Sequence, residues 1–197
     1  AALSALPVIG FKPDVVHCHD WQTGLIPVYL KDRFRGGEFF ANMKSVMTIH
    51  NLKFQGVWDV KTIQRFSMLP DYYFTPDKLE AYKDGNMLKG GIVFADAITT
   101  VSQTYAEEIK MPFYGEGLDG LMRARSGDLR GIVNGIDYDE FNPETDKLIA
   151  QPYNARNFRK EKGKNKKQLQ AQLGLPVDEK KFMVGIVSRL TDQKGLD

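Results

Sequence analysis

Short apolar runs alternate with amphipathic stretches along the chain. The runs DVVHC (14–18), KSVMTI (44–49), DAITTV (96–101), RGIVN (130–134) and KFMVGIVS (181–188) are apolar or β-branched. Near-continuous apolar strands of this kind suit a parallel sheet covered on both faces. Between them the spacing predicts helices at 23–34, 84–96, 102–110, 117–125 and 164–175. The first has to accommodate Pro27 in its opening turn. The second carries the pair Gly90–Gly91, the mark of a helix packed tightly against its neighbours. The third starts at a capping Ser102, and the last runs out at Gly174 and Pro176, a good stop signal. Alternating β and α elements predict a doubly wound α/β architecture. The chain has no repeat of 20–50 residues and no low-complexity tract.

The pattern loosens after VNGID. Residues 137–167 carry Pro143, Pro152, several Asn and then a lysine-rich run before apolar patterning resumes. This predicts an inter-domain crossing followed by the first helix and strand of a second domain, with the boundary near residue 130. The two ends look cut: AALSAL reads as the last turns of a helix, and GIVSRLTDQKGLD stops where a helix should begin. The sequence is therefore expected to be an internal piece of a larger protein, truncated at both ends.

Composition narrows the class. The 197 residues are 42% hydrophobic and 26% charged, enough to bury a core. Cys18 is the single cysteine, so there is no internal disulfide, and a reducing, cytoplasmic setting fits best. No apolar run approaches the ~18 residues of a membrane span, and the first ten residues make a poor signal peptide. A formal charge of +2 argues neither for nor against a polyanionic partner. The run 156–170 is lysine-rich, but Phe158 is its only aromatic residue, so a solvated helical face is favoured over a nucleic-acid surface.

Four stretches carry candidate chemistry. His17, Cys18, His19 and Asp20 stand in a row. Strand alternation puts the two histidines on one face and Cys18 on the other. Asp20 falls at the strand's carboxyl end, where ligands of open α/β sheets collect. A metal site needs three or four ligands of compatible geometry, and His50 is the only other histidine. A metallohydrolase on these residues and a purely structural role both remain open. In TIHNLKFQG, His50 and Asn51 also end an apolar strand, and Asp20 and His50 would converge if the two strands are neighbours. Asn134, in the turn signal NGID, matters only if that segment crosses between domains. In GIVSRLTDQKG, a strand leads into a loop with Arg189 and Lys194, then Gly195. Arg offers a planar fork for phosphate oxygens and Lys a mobile charge. Backbone N–H groups at a following helix start would favour the same anion. Together they could support a departing diphosphate without a divalent metal.

The motifs PDVVHCHDWQTGLIPVYLK, TIHNLKFQG, ITTVSQTYAEEI, GIVNGIDYDEFNPETD and VSRLTDQKGLD, in this order, resemble the bacterial glycogen synthases and plant starch synthases over essentially the whole chain. The resemblance implies a glycosyltransferase B fold, two Rossmann-like domains facing each other across a cleft. Residues 1–130 would then be the C-terminal portion of the first domain. Residues 131–197 would be the crossing and the start of the second, nucleotide-binding one. It implies retaining transfer of glucose from ADP-glucose to the non-reducing end of an α-1,4-glucan, with no metal or other cofactor. By the same resemblance Asp20, His50, Arg189 and Lys194 are the catalytic candidates, the last two on the donor phosphates. Asn134 lies near the donor, and Asn51 and Trp21 shape the site. Gln22 departs from members with His there. A Lys-Thr-Gly-Gly-Leu loop is expected upstream of Ala1 and an acidic sugar-contacting motif downstream of Asp197, so the piece alone is expected to be inactive. Its uncovered cleft surface would allow self-association. The alternatives are a related glycosyltransferase with another donor or acceptor, and a non-catalytic glucan- or nucleotide-binding module.

Overall fold

The apolar runs at 14–18, 44–49, 96–101 and 130–134 come together as one parallel sheet in a computed structural model, which describes residues 1–191, 194 and 195. The chain divides into two compact units, Ala1–Asn134 and Gly135–Asp197. In order, the first unit contains α1 (Ala2–Val8), β1 (Val15–His19), α2 (Leu25–Asp32), β2 (Lys44–Ile49), β3 (Val57–Trp58), α3 (Val60–Ser67), β4 (Glu80–Ala81), β5 (Asp84–Asn86), α4 (Met87–Phe94), β6 (Ala97–Thr100), α5 (Gln103–Glu108), α6 (Asp119–Ala124) and β7 (Leu129–Gly131). The second contains α7 (Phe158–Gln172).

The sheet has the order β1-β2-β6-β7, every pair parallel, with His19 opposite Thr48 and Thr48 opposite Thr99. One face carries Cys18, Met47, Ile49, Ile98 and Leu129. These residues are buried against Leu88 and Ile92 of α4, Ala106 of α5 and Met122 of α6. The alternate residues Val15, His17, His19, Val46, Thr48 and Thr99 point the other way, onto a more polar and more open face. The strand ends differ slightly from the sequence pattern. The fourth strand closes at Gly131, and Ile132 and Val133 leave the sheet exposed.

Helix α4 is the central packing element, with six of its eight residues buried. Asn86 caps it by accepting the Lys89 N–H at 2.8 Å. The segment predicted as the start of this helix, 84–86, instead forms β5, pairing with β3 and β4 in a small antiparallel sheet. Strands of two or three residues are too short to show a period, and α3 escapes the apolar pattern for a related reason. Ile63 and Ser67 are its only fully buried residues, and Ile63 joins a satellite core of Leu25, Val28, Leu79 and Met87. Its start is nonetheless capped, the Asp59 carboxylate accepting the Thr62 N–H at 3.0 Å. Ser102 caps α5 in the same way, as its sequence predicts. Pro27 sits in the first turn of α2.

At the amino ends of the strands Asp96 ties three elements together. Its carboxylate takes the Ser45 N–H at 2.8 Å and the Lys31 ammonium at 2.7 Å. Burial alone would raise its pKa, but these hydrogen bonds and the charges of Lys31 and Lys44 outweigh that and hold it below the ordinary carboxylate value.

In the second unit, α7 starts six residues earlier than the spacing predicts and ends with Gly174 at φ +66°. Most of its basic residues are exposed, and Lys164 and Lys167 pair with Glu161 and Glu179. The predicted strand at 181–188 is not formed: the run is irregular, and Phe182, Val184, Ile186 and Val187 are exposed. A β-strand exists only through a hydrogen-bonded neighbour, and among the described residues of this unit there is no other strand. The helix expected after Gly195 falls on Leu196 and Asp197, outside the described residues.

The crossing of α2 and α4 is set by glycine. A Cβ on Gly24 would lie 2.1 Å from the Met87 carbonyl oxygen, whereas one on Gly36 would meet nothing within 4 Å. Gly24→Ala is therefore expected to destabilise the fold by about 3 kcal/mol or more, at the upper end of overpacking costs. Gly36→Ala should leave the urea midpoint unchanged; equal midpoints for the two variants would refute this account of the crossing.

Candidate active site

β1 and β2 are parallel neighbours, and the last residue of β1, His19, pairs with Thr48, one short of the end of β2, so the residues that follow the two strands meet. The ladder extends one step beyond β1, the Asp20 N–H donating to the Thr48 carbonyl at 3.0 Å. The chain then turns sharply: Asp20 has φ +53° and ψ −174°, a region that costs a non-glycine residue ~1–3 kcal/mol. The turn folds the carboxylate back towards β2, where Oδ1 accepts the main-chain N–H of His50 at 2.8 Å. The Thr23 hydroxyl secures the bend by donating to the His19 carbonyl at 2.7 Å.

The three histidines form a row on the open face. His17 Nε2 is 2.6 Å from the Thr48 hydroxyl, which is 2.6 Å from that of Thr99. His19 Nδ1 is 2.9 Å from His50 Nε2. The ring centroids are 4.2 Å apart for His17–His19 and 5.2 Å for His19–His50. Partial burial first, then the nearby His19 and His50 rings, hold the His17 pKa below its ordinary value and favour the neutral imidazole. Cys18 points into the core, where burial pushes its thiol up to about 11. It is therefore an inert core thiol on the face away from the histidines. Among the described residues no group of three or more His, Cys, Asp or Glu could hold a metal ion.

The other candidates distribute as follows. Trp21 opens a 3-10 turn, its ring edge-on to Trp58 at 5.3 Å and packed over Gly56. At Gly56, φ is +64° and a Cβ would fall 2.6 Å from the Trp21 ring, so both backbone and space demand glycine. Asn51 shapes its own loop, its side-chain oxygen accepting the Lys53 N–H at 3.1 Å. Asn134 is exposed at the end of the first unit. Arg189 and Lys194 belong to the second unit. Both are exposed in one loop, closed by bonds from the Thr191 N–H to the Arg189 carbonyl and from the Lys194 N–H to the Thr191 carbonyl.

Three supporting residues were not singled out from the sequence. Thr48 links His17 to Thr99. The Tyr105 hydroxyl accepts the Leu52 N–H at 3.1 Å, holding the loop after His50. The Gln55 amide donates to the Leu52 and Glu116 carbonyls and accepts from Asn86 at 2.6 Å. A hydroxyl inside the apolar run KSVMTI was the one signal that could have marked Thr48. The arrangement places a carboxylate and an imidazole on the carboxyl edge of a parallel sheet, a position suited to holding a polar ligand.

Residues 1–124 match the family described as the starch synthase catalytic domain. The whole chain is 72% identical to a glycogen synthase of Lachnospira eligens and 53% identical to one of Thermosipho africanus. It spans 41% and 40% of the length of these two relatives. Among solved structures it is similar to the catalytic domain of Starch Synthase IV from Arabidopsis thaliana bound to ADP and acarbose. The TM-score is 0.78 and the identity 34%, over 89% of this chain and 36% of that one. The fold is thus the α/β fold of a starch synthase catalytic domain, of which the chain holds a part.

Asp20→Gly relieves the backbone strain that Asp20→Ala retains, while both lose the carboxylate. The glycine variant should be the more stable by ~1–2 kcal/mol in urea unfolding, and an alanine variant of equal or greater stability would disprove the strain. Because His17 has its pKa lowered on folding, the unfolded chain takes up a proton first as pH falls through the ordinary value of 6.5. Stability should therefore be complete above that pH and decline below it. His17→Gln, which keeps a partner for Thr48, should flatten the urea midpoint between about pH 7.5 and 5.5; an unchanged slope would rule this origin out.

Proposed function

The chain belongs to the starch synthase catalytic domain family, and from that premise we propose that the full-length protein is a glucan synthase. It transfers glucose from ADP-glucose to the non-reducing end of an α-1,4-glucan with retention at the anomeric carbon. The bond from that carbon to the diphosphate oxygen breaks. A bond to the acceptor hydroxyl forms, and the hydroxyl proton leaves with ADP. The observation that carries the reading is the contact of Asp20 Oδ1 with the His50 N–H at 2.8 Å. It sets a carboxylate and a histidine together at the carboxyl edge of the sheet, an edge suited to a polar ligand such as a sugar.

In this reading Asp20 orients the reacting sugar and tunes the charge around it, and His50 hydrogen-bonds the donor glucose. Arg189 and Lys194 take the diphosphate and stabilise the charge that develops on it, so no metal or other cofactor is required. Asn134 contributes near the donor, and Trp21 and Asn51 shape the sugar site. The ADP and acarbose named for the Arabidopsis starch synthase structure are a nucleotide and a glucan-like ligand in keeping with these partners. The bacterial relatives and a composition with one cysteine and no membrane-length apolar helix among the described residues are in keeping with a bacterial cytoplasmic enzyme. The 197-residue chain by itself, at 41% of a relative's length, is proposed to be inactive.

The test is transfer of labelled glucose to glycogen by the full-length protein, with ADP-glucose and UDP-glucose compared as donors. ADP-glucose should be preferred, and activity should survive excess EDTA. Asp20→Asn, Arg189→Ala and Lys194→Ala should each lower kcat by about 10²-fold or more, as loss of a charge-stabilising group does. Full activity in all three variants would refute the assigned roles.

A further inference from the structure

His50 is held at two atoms by β1 and the residue that follows it. Its main-chain N–H is given to Asp20, and its ring Nε2 lies 2.9 Å from Nδ1 of His19. The first contact fixes the backbone and leaves the side chain free to turn about its two torsions. The second removes that freedom. It also couples the two tautomers, because a hydrogen bond between two imidazole nitrogens needs a proton on one and a lone pair on the other.

His19 is itself backed. Its ring lies 4.2 Å from that of His17 on one side and stacks on His50, 29° from parallel, on the other. His17 is fixed by the Thr48 hydroxyl, and Thr48 by Thr99 on the next strand. The row therefore runs from the third strand of the sheet to the ring of His50, every member but His50 being carried on a strand. The period of β1 puts His17 and His19 on the same face, and the register with β2 sets His19 opposite Thr48, two residues before His50.

We infer that His19 is a positioning residue for the transfer reaction: through its Nδ1 it sets the ring orientation and tautomer of His50, leaving Nδ1 of His50 as the ring nitrogen that faces away from β1. The inference rests on the reading that His50 lies beside the transferred sugar. His19 acts only through His50 and needs no contact with substrate.

The test uses the full-length protein. His19→Phe keeps a ring to stack on but removes the nitrogen, His19→Asn returns a hydrogen-bonding group to the place of Nδ1, and His19→Gln puts its amide further out. Removing the nitrogen should lower kcat about 10- to 100-fold with KM for ADP-glucose changed less than about threefold, and the asparagine variant should recover most of the loss. In a His50→Ala background the phenylalanine substitution should cost nothing further. The same fold-loss in both backgrounds would overturn the inference. Ring-nitrogen NMR of histidine-labelled protein reads the contact independently of activity. His50 signals should shift in the phenylalanine variant and return towards wild type in the asparagine variant; signals that do not move sink the inference whatever the kinetics. If the wild-type protein transfers no glucose, the proposed function fails while the NMR outcome still decides the role of His19. Should the phenylalanine variant not fold, the asparagine and glutamine variants carry the comparison, and equal His50 signals and equal activity in those two would count against it.

Discussion

The parallel pairing of β1 with β2 is the constraint on which the site depends. Parallel pairing puts both carboxyl ends on one edge, and the register, with His19 opposite Thr48, leaves them one residue apart, so Asp20 and His50 come within reach of each other. Asp20 then has a choice between a relaxed backbone and a carboxylate aimed at its neighbour. The fold imposes the second, holding Asp20 at φ +53° so that Oδ1 reaches the His50 N–H. Such strain persists only where the surroundings over-determine it. Here they do: the ladder bond to Thr48 precedes the bend, the Thr23 hydroxyl ties its carbonyls, and Gly24 follows with no room for a side chain against Met87. Strand, bend and helix are one continuous device for presenting a carboxylate.

Packing on one face of the sheet makes the other face available for chemistry. Cys18, Met47, Ile49 and Ile98 fill the core under α4 and α5, which leaves the histidines and threonines of the alternate positions to bond with one another. Four adjacent residues that resemble a metal-binding run are thereby sent to separate tasks. His17 meets Thr48, Cys18 enters the core, His19 meets His50, and Asp20 holds the His50 backbone. The loop after β2 is shaped to match: Tyr105 of α5 takes the Leu52 amide, Gln55 within the loop takes the Leu52 carbonyl, and Asn86, the cap of α4, holds Gln55.

Much of this was legible in the chain. The four strand runs of the first unit, the cap at Ser102, the tight helix at Gly90–Gly91 and the stop at Gly174 each appear where local chemistry puts them, because capping, burial period and left-handed turns are properties of a few adjacent residues. The placing of Asp20 and His50 at strand ends was legible for the same reason. The small sheet of β3, β4 and β5 was not, since two or three residues carry no period. The run 181–188 shows the converse. Its apolar pattern is that of a strand, but a strand is a relation between two segments, and no neighbour for it is present among the described residues of its unit.

The sequence by itself determined which segments have the character of strands and helices, where turns must fall, and, through five ordered motifs, to which family the chain belongs. Only the tertiary structure decided that β1 lies beside β2, that His19 rather than His17 meets His50, and that Thr48 joins the row. The physical reason is range: period and capping are fixed by residues within a turn or two of each other, whereas pairing brings together side chains some thirty positions apart, and nothing local in either segment says which partner it will find.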